Sequence, residues 1–136
     1  GAVAVELPDG RIVTGKNSEI MSASAACVFN AVKALAGMDD IKLISPYVIG
    51  PILDLKTKIL EDKDNTLTLD EALIALSICA ATDPRAARAI EKLVELRGCE
   101  AHSSHMLRKA DENPFRKLGL NLTCSPEFLS NDLFNN

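Results

Sequence analysis

In the stretch from Ser22 to Gly37, the apolar residues would occupy all sides of a helix and not a single stripe. After Ser22, only Ser24, Asn30 and Lys33 interrupt the run. A helix that is apolar all round is normally packed on several faces at once. In a small domain, this pattern predicts a central helix laid across a sheet with other helices beside it. Gly37 supplies the stop, because glycine tolerates the left-handed conformation that follows a last helical turn.

An alternating pattern precedes this helix. Residues 2–7 alternate small and large side chains, and residues 11–14 follow after the turn Pro8-Asp9-Gly10. Alternation with a period of two is typical of a strand, and Asp-Gly is a common hairpin turn. The chain is therefore predicted to begin with an antiparallel hairpin. Short apolar runs predict three further strands, at Ile41–Ile44, Cys99–Ser103 and Leu120–Thr123.

Four further helices are predicted between these strands. Their expected N-terminal caps are Ser45, Thr68 in a capping box with Glu71, Asp83 and a residue near Asp111. The order β-β-α-β-α-α-α-β-α-β predicts an α/β fold, a three-layer sandwich with a mixed sheet of about five strands and helices on both faces. After the antiparallel hairpin, strands that are separated by helices are expected to run parallel.

Length and composition narrow the class of protein. The 136 residues correspond to about one domain, expected at 1–124, followed by a polar tail at 125–136. The net charge of −4 and the lack of a long basic run disfavour nucleic acid as a partner, and no apolar run is long enough to span a membrane. Four cysteines among apolar neighbours predict buried free thiols of a cytoplasmic protein. The chain starts inside a strand pattern without Met, as expected for a fragment of a longer protein.

Polar residues collect at the predicted carboxyl ends of the strands. Ligands of open α/β sheets bind beyond that edge, and the start of the central helix offers N–H groups and a partial positive charge that suit an anion. The candidate ligand-binding residues are Lys16, Asn17, Ser22, Ser24, Ser45, His102, Ser103, Ser104 and His105. In the alternative interpretation, these residues are ordinary strand ends, and the serines only cap helices.

No catalytic residue, metal or cofactor is predicted. Metal-binding residue types come together only at Cys99, Glu100, His102 and His105. Strand alternation directs Cys99 away from His102, and no Cys-x-x-Cys accompanies them. The same alternation predicts that neither Ser103 nor Ser104 bonds to His105 as nucleophile to base. The chain has no Gly-x-Ser-x-Gly elbow and no phosphate-binding glycine motif.

The opening VELPDGRIVTGKNSEIMSASAACVFNAVKAL resembles the start of the cytidine-deaminase-like fold, in which a hairpin leads into a buried helix. The resemblance implies a similar fold. Zinc deaminases need a glutamate on that helix and a Pro-Cys-x-x-Cys on the next. The corresponding stretch here is Cys27-Val28-Phe29-Asn30, and the second pair of thiolates is missing. The resemblance therefore does not extend to the deaminase reaction.

A second resemblance covers nearly the whole chain. The stretches AVELPDGRIVTGKNSE, KLISP, DEALIALSICAATDPRA, LRGCEAHSS and FRKLGLNLTCSPEF resemble the C-terminal part of a bacterial family, the domain of unknown function 1846, or uncharacterised protein family 0371. The resemblance implies a domain of a longer cytoplasmic protein whose N-terminal part is absent here. It implies no catalytic residues.

Two functions are compatible with these observations. The leading hypothesis is a C-terminal domain that is not independently catalytic and that serves assembly or ligand binding, with the N-terminal part of the same protein as partner and a homo-oligomer as a further assembly. The alternative is an enzyme domain that binds a small anionic or nucleotide-like substrate at the carboxyl edge of the sheet. Convergence of Lys16, Asn17, Ser24, His102 and Ser104 in one pocket would favour the alternative.

Overall fold

The computed structural model describes residues 1–125, which form four strands and five α-helices. Their bounds are β1 Ala2–Glu6, β2 Ile12–Lys16, α1 Ala23–Leu35, α2 Pro46–Asp54, α3 Leu69–Ala80, α4 Pro84–Lys92, β3 Glu100–Ser103, α5 Lys109–Lys117 and β4 Asn121–Cys124. A π-helical turn, Leu55–Ile59, extends α2, and a 3₁₀ turn, Leu93–Leu96, extends α4. The predicted polar tail lies outside the described residues after Ser125.

The strands form one mixed sheet in the order β2-β1-β3-β4. Strand β1 is antiparallel to both β2 and β3, whereas β3 and β4 run parallel. Both the predicted hairpin and the predicted parallel pair are thus confirmed. Ala2 faces Lys16, Val3 faces Ser103, and Ser103 faces Cys124. The carboxyl ends of β2, β3 and β4 therefore share one edge of the sheet.

The prediction of a strand at Ile41–Ile44 is wrong. These residues are in a loop, so the described sheet has four strands instead of about five. Leu43 and Ile44 are nevertheless buried in the core, and Ser45 caps α2 immediately afterwards. The apolar run thus reflects burial and not strand pairing, a distinction that a short run does not make. The α/β class holds, and the cytidine-deaminase-like arrangement is not confirmed.

The central position predicted for α1 is confirmed. Ala25, Cys27, Val28 and Val32 are all completely buried, although they point in different directions around the helix. At Gly15 the backbones of β2 and α1 touch, because a Cβ atom there would lie 2.2 Å from the backbone nitrogen of Cys27. The helix is therefore held directly against the sheet.

The sequence predicted helices on both faces of the sheet. In residues 1–125 the helices cover only one face. Val3 and Val5 of β1 and Ala101 of β3 point towards the helices and are buried. The opposite face carries mostly exposed polar side chains, namely Glu6, Thr14, Lys16, Glu100, His102, Asn121 and Thr123. Antiparallel sheets commonly leave one face in water, and the polar alternation of these strands fits that arrangement.

Candidate functional site

A cavity of about 320 Å³ opens where the first residues of α1 and α5 meet the loop that precedes α3. Four of the nine predicted site residues line it, namely Asn17, Ser22, Ser24 and His105. The remaining lining residues are Ala23, Asp64, Thr66, Met106, Leu107, Arg108 and Asp111. The edge of the sheet that was chosen from the sequence thus does border a concave site.

The first turn of α1 is largely capped by its own neighbours. The side-chain oxygen of Asn17 accepts the N–H of Ala23 at 2.8 Å, and the hydroxyl of Ser22 accepts that of Ala25 at 3.3 Å. A helix start leaves its first N–H groups without partners inside the helix. Here local side chains already bond the N–H groups of Ala23 and Ala25, the residues on either side of Ser24.

A buried carboxylate lies at this helix start. Asp111 is 3% exposed, and its Oδ1 accepts hydrogen bonds from the Ser22 hydroxyl at 2.7 Å and from the Leu69 N–H at 2.8 Å. Leu69 is the first residue of α3, so the carboxylate joins the N-terminal ends of α1 and α3. Negative charge is stabilising at such ends. Asp111 therefore fills the position for which an external anion was predicted.

Helix α5 starts close to Asp111, near which its cap was predicted, although no side chain caps it. Helix α5 begins at Lys109 with Arg108 at the N-cap position, and Asp111 lies in its first turn. The carboxylate points away from its own helix towards α1 and α3, because those two helices offer N–H and hydroxyl donors in the interior.

Arg108 is also engaged by groups of this chain. It forms an ion pair with Asp64, and a second guanidinium nitrogen lies 3.4 Å from Oδ2 of Asp111. Burial alone would raise the pKa of Asp64, but hydrogen bonds from the hydroxyl and N–H of Thr66, with the charges of Arg108 and Lys56, lower it. One guanidinium therefore faces two carboxylates, and an incoming anion would have to compete with both.

Ser103 and His105 do come together, contrary to the prediction from strand alternation. The Ser103 hydroxyl lies 3.2 Å from Nδ1 of His105 and donates to the His105 carbonyl oxygen at 2.5 Å. Residues two apart on a strand share a face, so strand alternation separates only Ser104 from His105, and the chain also bends after β3 ends at Ser103. With its one proton on the carbonyl, the hydroxyl can meet Nδ1 only as an acceptor. The pair therefore lacks the geometry of a nucleophile activated by a base.

The environment of His105 favours its neutral form. Burial lowers the pKa of His105, and the negative charge of Asp111 opposes that effect. Ser103 beneath it is completely buried. The neutral imidazole thus lines the cavity, in contact with the hydroxyl of Ser103.

The other five predicted site residues do not line the cavity, and Ser103 beneath His105 is one of them. Lys16 is exposed on the open face of the sheet, where His102 also bonds to Thr123 through Nδ1 at 2.8 Å. The hydroxyl of Ser104 accepts the N–H of Ala2 at 2.9 Å. Ser45 caps α2 and lines a different crevice. Of the five residues whose convergence would favour an enzyme, the cavity contains Asn17 and Ser24.

Metal-binding residue types do not converge in the described part of the chain. Among residues 1–125, no group of three His, Cys, Asp or Glu side chains is arranged to hold a metal ion. His102 lies on the open face of the sheet and His105 in the cavity. Cys27 of α1 is buried against β2, and this burial raises the pKa of its thiol to about 12.

Sequence reasoning did not identify Asp64, Arg108 and Asp111 as site residues. The only local signals were the spacing of Arg108 and Asp111, three residues apart at a helix start, and the short Asp64-x-Thr66 turn. Both signals are also typical of ordinary helix and turn caps. The bond between Ser22 and Asp111 spans 89 residues, so no local pattern could have predicted it.

Comparison with known proteins places the chain in a family. The family model described as "Domain of unknown function DUF1846, C-terminal" matches residues 1–134. A "UPF0371 protein" of Clostridium tetani is 53% identical over 135 residues, which are 98% of this chain and 27% of that protein. Relatives from Clostridioides difficile and Clostridium botulinum are 52% and 51% identical over 97% and 98% of the chain.

The chain spans about a quarter of the length of the curated relatives it matches, since it covers 26% of the Clostridioides difficile protein and 27% of the other two. No helix in residues 1–125 has the length and apolar character needed to cross a membrane.

On the family model and these relatives, the chain belongs to the DUF1846 family and forms the C-terminal domain of a larger UPF0371 protein.

Proposed function

We propose that this domain serves the assembly of the larger family protein and is not catalytic on its own. The proposal rests on one observation: the charged groups of the cavity are already paired with groups of the same domain. Its helix end is already neutralised by Asp111, and its one guanidinium, on Arg108, is paired with Asp64. Ser103 and His105 are bonded to each other within the domain. These groups stabilise the fold, and most of each relative's length lies outside this region.

Assembly in this sense means stable, noncovalent contact with the part of the protein that precedes the domain. The test uses the full-length family protein with a protease site placed before Gly1. After complete cleavage, we expect both pieces to elute together from a size-exclusion column at about micromolar concentration, as a specific interface of ordinary size permits. Elution as two separate species would contradict the proposal.

A second candidate function is binding of a small anionic ligand in the cavity. It is favoured by one observation, the convergence of Asn17, Ser24 and His105 with Arg108 around a volume of about 320 Å³. That volume is at the lower end for small-molecule sites. In this case a phosphate or carboxylate would replace Asp64 as the partner of Arg108.

A homo-oligomer of the family protein remains a further form of assembly.

The four cysteines support a reducing, cytoplasmic location for the family protein. Cys27, Cys79 and Cys99 are buried free thiols, and Cys124 is half-buried. Buried thiols without disulfides are usual where glutathione keeps cysteines reduced.

A further inference from the structure

The outer side of α2 and α3 is unusually apolar for a solvent-facing surface. Its side chains are Tyr47, Pro51, Leu55 and Ile59 on α2 and its π-helical extension, and Ile74 and Ile78 on α3. Tyr47 is 92% exposed and Ile59 is 73% exposed. Single exposed apolar residues are ordinary, but a group of them on adjoining elements marks an interaction surface. We call this group the α2/α3 apolar surface.

The two helices that carry these residues lie side by side and antiparallel. The N–H of Ser45, before α2, meets the sulfur of Cys79 near the end of α3 at 3.5 Å. At the other end, Lys56 is buried and bonds to Glu71 in the first turn of α3 at 2.8 Å. Residues three to four apart share one face of a helix. Tyr47, Pro51 and Leu55 thus share one exposed face of α2, and Ile74 and Ile78 share one exposed face of α3.

Helix α2 packs against the core only through partly buried residues, namely Val48, Ile49, Ile52 and Leu53. None of its residues is buried, although its sequence PYVIGPILD is mostly apolar. Most helical stability in proteins comes from packing of an apolar face and not from intrinsic propensity. The interior Pro51 also removes a backbone hydrogen bond. Contact with a partner surface beyond residues 1–125 would bury the outer stripe of α2 and stabilise the helix further.

We propose that the α2/α3 apolar surface packs against the part of the family protein that precedes this domain. This inference rests on the proposed assembly function and names its contact. Most of each relative's length lies in that preceding part, and a covalent connection raises its local concentration far above that of a free partner. Asp54 and Lys58, at the edge of the stripe, form an ion pair with each other and leave no net charge there. The open face of the sheet is mostly polar and is therefore a less favourable contact surface than the α2/α3 apolar surface.

The test measures cysteine accessibility in the intact full-length protein. Ile59→Cys reports on the α2/α3 apolar surface, and Val94→Cys is the matched control, because both side chains are 73% exposed in the domain. Each replacement leaves the other surface residues in place. The rate of reaction with a soluble maleimide is measured for each variant, with the unsubstituted protein as background. We expect the cysteine at position 59 to react at least tenfold more slowly than that at position 94.

Three outcomes would overturn this inference. Equal rates at the two positions would mean that the surface is open in the full-length protein. Protection that disappears on dilution from micromolar to nanomolar protein would identify a second copy as the occupant. Protection of the control position alone would place the contact elsewhere. If the cleaved pieces still elute together in any of these cases, the assembly function stands and only the surface is wrong.

Discussion

The hydroxyl of Ser22 donates to Oδ1 of Asp111 across 2.7 Å, in the buried space where α1, α3 and α5 meet. The same oxygen accepts the N–H of Leu69, so one carboxylate serves two helix starts. A charged acceptor that receives several hydrogen bonds at helix ends contributes through both bonding and the helix dipoles. The arrangement turns the expected anion site into an internal link between three helices.

Removal of this link is expected to destabilise the domain strongly. Asp111→Ala leaves the Ser22 hydroxyl and the Leu69 N–H without their acceptor, at a cost of about 3 kcal/mol of unfolding free energy. Asp111→Asn retains one acceptor oxygen and should cost less. Urea denaturation followed by circular dichroism measures both. The control is Asp40→Ala, which removes a carboxylate that is 96% exposed and should cost much less.

An equal, small loss for Asp111→Ala and Asp40→Ala would show that the buried carboxylate does not link the helices.

The contact between β2 and α1 predicts a severe effect of a single methyl group. A Cβ at position 15 would lie 2.2 Å from the nitrogen and 2.6 Å from the Cα of Cys27, and backbone atoms cannot move aside. Gly15→Ala should therefore cost about 3 kcal/mol or more, above the usual range for overpacking. In Gly50→Ala the new Cβ meets no atom within 4 Å, and alanine should stabilise α2 by about 0.5–1 kcal/mol.

Thermal unfolding of the two variants gives the sign of each change. A Gly15→Ala protein as stable as the parent would contradict the direct backbone contact.

Acid sensitivity is expected from His105. Its pKa is lowered in the folded state below the ordinary value of 6.5, so the unfolded chain binds more protons in the interval between the two values. Stability is therefore fully present above about pH 6.5 and decreases as the pH falls below it. His105→Gln should reduce the loss of melting temperature between pH 7.5 and 5.5. His102→Gln, on the open face of the sheet, is the control.

An unchanged loss in His105→Gln would show that other groups account for the acid sensitivity.

Much of this fold follows from local sequence signals. Ser45, Thr68 and Asp83 cap the helices they were predicted to cap, because each bonds to an N–H group within a few residues of itself. The hairpin is equally local, since its turn residues and alternation lie in one short stretch.

The errors concern contacts between distant segments. Leu43 and Ile44 have the composition of a strand, yet their burial comes from packing against other elements and not from pairing. The bonds of Asp111 to α1 and α3 were missed, because their donors lie 42 and 89 residues away in the sequence. Four of the eleven residues that line the cavity were therefore found from strand ends and the helix start, whereas the charged residues were not.

The second candidate function makes its own prediction. If the cavity binds anions, Asp64→Asn should strengthen binding of inorganic phosphate at least threefold, because it frees Arg108 from its ion pair. Arg108→Gln should abolish binding. Titration by NMR would then move the amide signals of Asn17, Ser24 and Arg108 at millimolar phosphate. No localised shift in either the parent or Asp64→Asn would exclude this function.

The most direct measurement combines the assembly function with the proposed contact. The full-length protein is cleaved before Gly1 in the parent and in two variants, Ile59→Glu and Val94→Glu, whose side chains are equally exposed in the domain. A charge in an apolar interface costs several kcal/mol unless it is paired. We predict that the pieces of the parent and of Val94→Glu elute together at micromolar concentration, whereas those of Ile59→Glu separate. Elution of all three proteins as intact complexes of equal stability would contradict the account.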